Sequence, residues 1–329
     1  MRAVVLDEHG GPEVLRVREV PDPIPGPEEV VVEVAATALN RADLLQRRGF
    51  YPGPPMQHEI PGMELSGRVV AVGERVTFRA VGDEVMAIVG GGADAELVAV
   101  HERQTMRVPR SVALADAAAI PEVFITAWDA LVLQGGLGPG DTALVHAGAS
   151  GVGTAAIQIA QAIGARVAVT ASGGKVQACR DLGADLAVDY GTDDFVAQTK
   201  DWTDGRGVDV VLDVIGGDYL ARNVDALALG GHIVQVGVMG AGNATFALGA
   251  LLPKRASITG TVLRSRPLEE KIAVSRRFEH EVVPRFESGE LRPVIDSRYP
   301  LDEIGAAHQR MEDNANVGKI LIDIGASPG

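Results

Sequence analysis

The chain contains a single cysteine, Cys179, among its 329 residues. One thiol excludes an internal disulfide framework and fits a reducing compartment; Cys179 reads as a structural thiol. Basic side chains are scarce relative to acidic ones. Lys and Arg number 30 against 44 Asp and Glu, a formal charge of −14. With no long basic run, this balance argues against nucleic acid or anionic membrane as the main partner. An N-terminal apolar signal core is also missing. Asp7 and Glu8 fall within the first eight residues, so no secretory leader is expected. Residues 142–165 lack Asp, Glu, Lys and Arg and are long enough to span a bilayer. Their glycines, His146, Ser150, Gln158 and Gln161 fit a buried strand, turn and helix better. There is no internal repeat and no low-complexity tail. These absences predict a soluble cytoplasmic protein. The length predicts about two domains, and an apolar fraction of 46% is ample for their cores.

The first 120 residues are β-rich. Segments 3–6, 14–20, 29–36, 65–72 and 95–100 alternate or run apolar between Gly/Pro turns. Pro21, Pro23, Pro25 and Pro27 form an extended connector. A short helix is expected over 41–48. The style changes near Pro121. A helix over 122–133 precedes strands at 142–146, 166–170, 186–188, 208–212, 232–236 and 257–261. Helices at 151–164, 174–182, 193–200 and 218–229 alternate with them. That alternation predicts an α/β fold with a parallel sheet covered on both faces. Beyond residue 266, two helical stretches and a final strand at 319–324 are expected.

The most informative segment is the glycine turn Gly148-Ala149-Ser150-Gly151-Val152-Gly153, between a buried strand and a helix. Such a turn aims several backbone N–H groups at one spot, and the helix dipole makes that spot attractive to a phosphate. The spacing is G-x-x-G-x-G, a moderate signal by itself. In a dinucleotide fold, an acid at the end of the second strand accepts from the ribose 2′-hydroxyl of NAD and repels the 2′-phosphate of NADP. Here that turn reads Ala171-Ser172-Gly173-Gly174-Lys175, with no acid. Small residues leave room, Ser172 can donate and Lys175 brings a positive charge, which favours NADP(H). The alternative is that Lys175 only solvates the start of a helix. Asp213 with Gly216-Gly217, and Gly237-Val238-Met239-Gly240, follow later strands and face the same ligand crevice.

Motifs along nearly the whole chain carry a closer resemblance. They are Leu39-Asn40-Arg41-Ala42-Asp43-Leu44, the segment 46–51, Ile60-Pro61-Gly62-Met63-Glu64-Leu65-Ser66-Gly67 and Ala118-Ala119-Ile120-Pro121-Glu122. With them go 146–158, Leu263-Arg264-Ser265-Arg266 and Val317-Gly318-Lys319-Ile320. The chain resembles the medium-chain dehydrogenase/reductase superfamily, in its zinc-independent quinone oxidoreductase family of the p53-inducible type. The resemblance implies a GroES-like β-rich catalytic domain over 1–121 and a Rossmann doubly wound parallel-sheet domain over 122–265. It implies a C-terminal return to the catalytic domain over 266–329, an active cleft between the domains, and a homodimer. An exposed strand near 257–261 is available for edge-to-edge pairing.

Zinc-dependent members use a Cys, a Gly-His-Glu segment and often a four-cysteine loop. Here Gly62-Met63-Glu64 stands at the Gly-His-Glu position, and the only cysteine lies in the other half of the chain. One surviving carboxylate does not make a zinc site, so metal-free chemistry is expected. A quinone suits it, since hydride addition gives an aromatic hydroquinone anion and needs chiefly contact between nicotinamide and acceptor.

Tyr51 is the candidate proton donor or substrate-orienting group; the alternative is a loop tyrosine packed over the cleft. Asn40 either hydrogen-bonds substrate or cofactor amides, or caps the 41–48 helix. By the resemblance, Thr126 lies near the nicotinamide ribose. Gly148, Ser150, Gly151, Val152 and Gly153 hold the pyrophosphate, with Ser150 also near substrate. Ser172, Gly173, Lys175 and Tyr190 line the 2′-phosphate pocket. Tyr190 has a second reading, as part of a strand cap with Asp189. Gly237, Met239, Gly240, Val262, Leu263 and Arg264 border the nicotinamide, and Asn316 and Lys319 close over the cofactor. Asp43 reads as structural. The expected reaction is NADPH-dependent quinone reduction with a small-molecule substrate. The alternatives are an NADPH-dependent enoyl or alkenal reductase and a non-catalytic NADPH-binding protein.

Overall fold

The computed structural model describes residues 1–325. The chain divides into two compact units. One is built from Met1–Ile125 and from the chain beyond Arg264; the other is Thr126–Leu263.

In the first unit, β1 (Arg2–Val5) and β2 (Arg16–Glu19) form an antiparallel ribbon. β3 (Glu29–Ala38) is the long central strand, followed by α1 (Arg41–Arg47) and β4 (Glu64–Val72). Then come β5 (Glu84–Ile88), β6 (Leu97–His101), β7 (Thr105–Arg107) and α2 (Pro121–Trp128). After α2 the backbone widens into a π-helical turn over Asp129–Gln134, where the sequence predicted one continuous helix. The apolar alternation of β3 buries Val30, Val32 and Val34 against Leu65, Val85 and Val98, each methylene removed from water contributing about 0.8 kcal/mol.

The second unit alternates strand and helix: β8 (Thr142–Val145), α3 (Gly151–Ala162), β9 (Arg166–Ala171), α4 (Gly173–Asp181), β10 (Leu186–Asp189), α5 (Phe195–Trp202) and β11 (Val208–Asp213). α6 (Tyr219–Ala226), β12 (Leu227–Gln235), α7 (Leu251–Lys254) and β13 (Ser257–Gly260) complete it. The sheet order is β10-β9-β8-β11-β12-β13, and every pairing in it is parallel. Val167 and Val169 of β9, Val211 of β11 and Ile233 of β12 are fully buried, as expected of strands covered on both faces. β13 ends the sheet with Ser257 and Ile258 exposed.

The returning chain adds α8 (Leu268–Glu281), α9 (Val283–Glu287), β14 (Ile295–Pro300), α10 (Ile304–Glu312) and β15 (Lys319–Asp323). β15 pairs antiparallel with β3, and β14 pairs parallel with β15. The seven-stranded sheet thus runs β14-β15-β3-β4-β5-β7, with β6 also on β3. The fold is α/β, with a GroES-like β-rich unit and a Rossmann-type parallel sheet. No helix among the described residues is long and apolar enough to cross a membrane.

Candidate active site

The Rossmann unit gathers its candidate residues by topology. In a parallel sheet all strands point one way, so the loops after them share one edge. Gly148–Gly153 follow β8, Ser172–Lys175 follow β9 and Tyr190 follows β10. Gly237, Met239 and Gly240 follow β12, and Val262 and Leu263 follow β13. Tyr190, Met239 and Val262 are exposed, while Thr126 and Leu263 are buried.

The turn after β8 is tied down from within. Gly148 N–H donates to Thr170 O at 2.8 Å. Ser150 is the N-cap of α3, and its Oγ accepts from Gly153 N–H at 3.0 Å. A Cβ on Gly153 would stand 2.4 Å from Ala147 O, so only glycine permits this approach of helix to strand. The first-turn N–H groups of Gly151 and Val152 have no intrahelical acceptor, which makes them donors for an anion. These residues fit the pyrophosphate of a nicotinamide dinucleotide.

Beneath this edge runs a buried chain that the sequence reading missed. His146 Nε2 lies 2.7 Å from Asn223 Oδ1, and Nδ1 lies 3.0 Å from Thr170 Oγ1. Asn223 Nδ2 donates to Asp213 Oδ2 at 2.9 Å, and Asp213 Oδ1 accepts from Ile215 N–H at 2.6 Å. Burial pushes the His146 imidazole below its ordinary range, so the ring is neutral. The network joins the ends of β8, β9 and β11 to α6. It holds the ligand edge in register.

The GroES-like unit is organised around a different kind of centre. Glu64 is fully buried at the start of β4 and forms an ion pair with Lys319 Nζ at 2.7 Å. The same ammonium donates to Leu39 O and to Asn40 Oδ1, each at 2.6 Å. Asn40 Nδ2 in turn donates to Glu64 Oε1 at 2.9 Å and Ala38 O at 3.1 Å. The second Glu64 oxygen accepts from Glu122 N–H at 2.8 Å, at the start of α2. Three segments far apart in sequence therefore meet on one carboxylate.

Two of the expected cofactor residues lie in this arrangement. The three N–H donors of Lys319, expected over the cofactor, are all engaged inside the unit, because a buried carboxylate requires a buried cation. Both ends of the Asn40 amide, expected at substrate or cofactor, are likewise engaged. Asn40 does occupy the N-cap position of α1, with its N–H donating to Asp43 Oδ2 at 2.7 Å. Asn316 is buried, and its Nδ2 donates to Gly318 O at 2.8 Å.

Tyr51 is half-buried, and Arg264 holds its loop. The guanidinium donates to Gly90 O at 2.6 Å, Gln46 Oε1 at 2.7 Å and Tyr51 O at 3.2 Å, and lies 4.7 Å from the Tyr51 ring centroid. Arg264, expected at the nicotinamide, thus anchors the segment carrying the candidate donor. Burial, reinforced by the Glu122 charge, pushes the Tyr51 hydroxyl up, and Arg264 opposes it. Burial also raises Glu122 to about 8 and Asp43 to about 6. The sequence reading noticed Glu64 but gave it no role, and passed over Glu122. Retention of the acid in Gly62-Met63-Glu64 was the available signal.

The chain matches the alcohol dehydrogenase GroES-like domain over residues 26–110 and the zinc-binding dehydrogenase family over residues 182–322. It is 32% identical to the rat synaptic vesicle membrane protein VAT-1 homolog, covering 98% of this chain and 84% of that protein. It is 30% identical to human quinone oxidoreductase, covering 98% of this chain and 97% of that protein. The structure of Escherichia coli quinone oxidoreductase complexed with NADPH superposes with a TM-score of 0.89 at 29% identity, over 98% of this chain and all of that one. With its GroES-like sheet, its parallel dinucleotide sheet and these full-length likenesses, the chain belongs to the medium-chain dehydrogenase/reductase superfamily, in its quinone oxidoreductase-like group.

Proposed function

We propose that this oxidoreductase transfers a hydride from NADPH to a quinone without zinc. The observation that carries the reading is the ion pair of Glu64, the acid of Gly62-Met63-Glu64, with Lys319. Zinc needs three or four N, S or O ligands. Met63 replaces the imidazole of the Gly-His-Glu segment, Glu64 is held by Lys319, and no group of three or more His, Cys, Asp or Glu among the described residues could hold a metal. The residues present do not fit zinc. Without a Lewis acid, the acceptor itself must take the hydride readily, and a quinone does so because the product ring is aromatic.

The bound nicotinamide supplies the hydride. The chain's own residues bind and orient. Gly151 and Val152 N–H groups would receive the pyrophosphate, and Ser172, Lys175 and Tyr190 would receive the adenosine 2′-phosphate. Tyr51, fixed by Arg264, would orient the acceptor or pass the one proton that completes the hydroquinone. The exposed end strand β13 supports a homodimer paired through that edge.

The deciding experiment is oxidation of NADPH and NADH with a panel of 1,2- and 1,4-quinones, enones and enoyl thioesters, before and after EDTA. Quinone turnover that survives EDTA is expected. Activity confined to enones or thioesters overturns the substrate. Activity lost to EDTA and restored by zinc overturns the metal-free reading. Absence of turnover throughout leaves a binding protein.

A further inference from the structure

The case for a 2′-phosphate rests on the absence of an acid in the turn after β9. The fold brings one there from another strand. β10 runs parallel beside β9, with Asp189 in register with Ala171. Asp189 is half-buried, and its Oδ1 accepts from Gly191 N–H at 2.9 Å. Its other oxygen leans over the start of α4. A Cβ on Gly173 would stand 2.4 Å from Asp189 Oδ2. At Gly174 a Cβ would meet nothing within 4 Å. Of the two glycines, the first is the one this carboxylate requires. Gly173 is also the first residue of α4, where the backbone dipole favours a negative charge.

We propose that Asp189 is a specificity-determining residue at the adenosine end of the cofactor site. Its carboxylate reaches from the third strand to where dinucleotide folds commonly place an acid from the second. There it accepts a hydrogen bond from a ribose 2′-hydroxyl and repels a 2′-phosphate, opposing Lys175. The protein therefore binds NADH as well as NADPH, with a narrow margin between them. The proposal rests on the nicotinamide reading above and deepens its cofactor part.

The test is equilibrium titration with NADPH and with NADH, followed by reduced-nicotinamide fluorescence. The proteins are wild type, Asp189→Asn and Gly173→Ala. Asn keeps an acceptor for Gly191 N–H and removes the charge; Ala displaces the carboxylate without changing it. Both variants should move the NADPH:NADH affinity ratio toward NADPH by about tenfold, equivalent to about 1.4 kcal/mol. Added salt should favour NADPH over NADH less in Asp189→Asn than in wild type, because screening has less repulsion to remove. If Asp189→Asn does not fold, Gly173→Ala alone decides. A ratio unmoved in the folded variants overturns the proposal and leaves the nicotinamide reading standing. A wild type that binds neither cofactor overturns that reading instead.

Discussion

The two units solve opposite electrostatic problems. The β8 turn at the ligand edge of the Rossmann unit is built from glycines, a capping serine and backbone N–H groups, so the turn offers donors without a charged side chain of its own. The centre of the GroES-like unit packs Asp43, Glu64 and Lys319 into its interior, with Glu64 and Lys319 paired to each other and Asp43 accepting from Asn40 N–H. Preorganised backbone tolerates any ligand of matching charge. A closed side-chain network tolerates almost no change. Binding in the Rossmann unit is thus separable from stability, whereas in the GroES-like unit a change at the centre acts on stability first.

The sharpest way to break this contrast is to remove the buried cation. Lys319→Met removes the cation of a buried ion pair, and breaking such a pair from one side costs about 3–5 kcal/mol. A fall in melting temperature of about 10 °C is expected, at roughly 2–4 °C per kcal/mol; adding Glu64→Gln should restore part of it. A melting curve unchanged in Lys319→Met would show that the pair is not a closed network. In the other unit, Gly153→Ala drives a methyl against Ala147 O and should cost at least about tenfold in cofactor affinity, read by fluorescence titration. Melting should shift less than in Lys319→Met. Equal damage to both readouts would erase the distinction between the units.

A subtler effect comes from Glu122, whose carboxyl is raised to about 8 from an ordinary 4.5. The folded chain then holds a proton that the unfolded chain has released, so this group's contribution falls as pH rises from about 4.5 to 8. Glu122→Gln never ionises. It should match wild type near pH 4.5, melt progressively higher in comparison as pH rises, and keep a constant lead above pH 8. A lead independent of pH would place the effect outside ionisation. The smallest change expected is in Tyr51→Phe. A dedicated general acid contributes about 10²–10⁴-fold; quinone turnover should fall by less than about tenfold, because the hydroquinone anion can take its proton from water. A hundredfold loss in kcat would favour an acceptor reduced at carbon.

The β-α alternation after residue 140 was legible because strands buried on both faces read as short apolar runs and their helices as amphipathic intervals. β5 and β14 were not. β14 is partly exposed along its length and reads Ile-Asp-Ser-Arg-Tyr-Pro, with no two-residue apolar period. β5 follows a polar turn and lies between β4 and β7, so its character comes from neighbours rather than from alternation. The glycine turn was legible because backbone conformation and close approach impose residue type directly. The pairing of Lys319 with Glu64 was not legible, because the two lie 255 positions apart and meet only through the fold. The approach of Asp189 to Gly173 was not legible, because Asp189 lies 18 positions after Ala171, its partner in the sheet register.

Local constraints were therefore written in the sequence: the α/β class, the glycine turn and the methionine in Gly62-Met63-Glu64. Each depends on the few residues surrounding it. Charge placement was decided only by tertiary structure. A carboxylate or ammonium acts over several ångströms in every direction, and the strands that bring Asp189 to Gly173, or Lys319 to Glu64 and Asn40, are paired across distances that linear spacing does not encode.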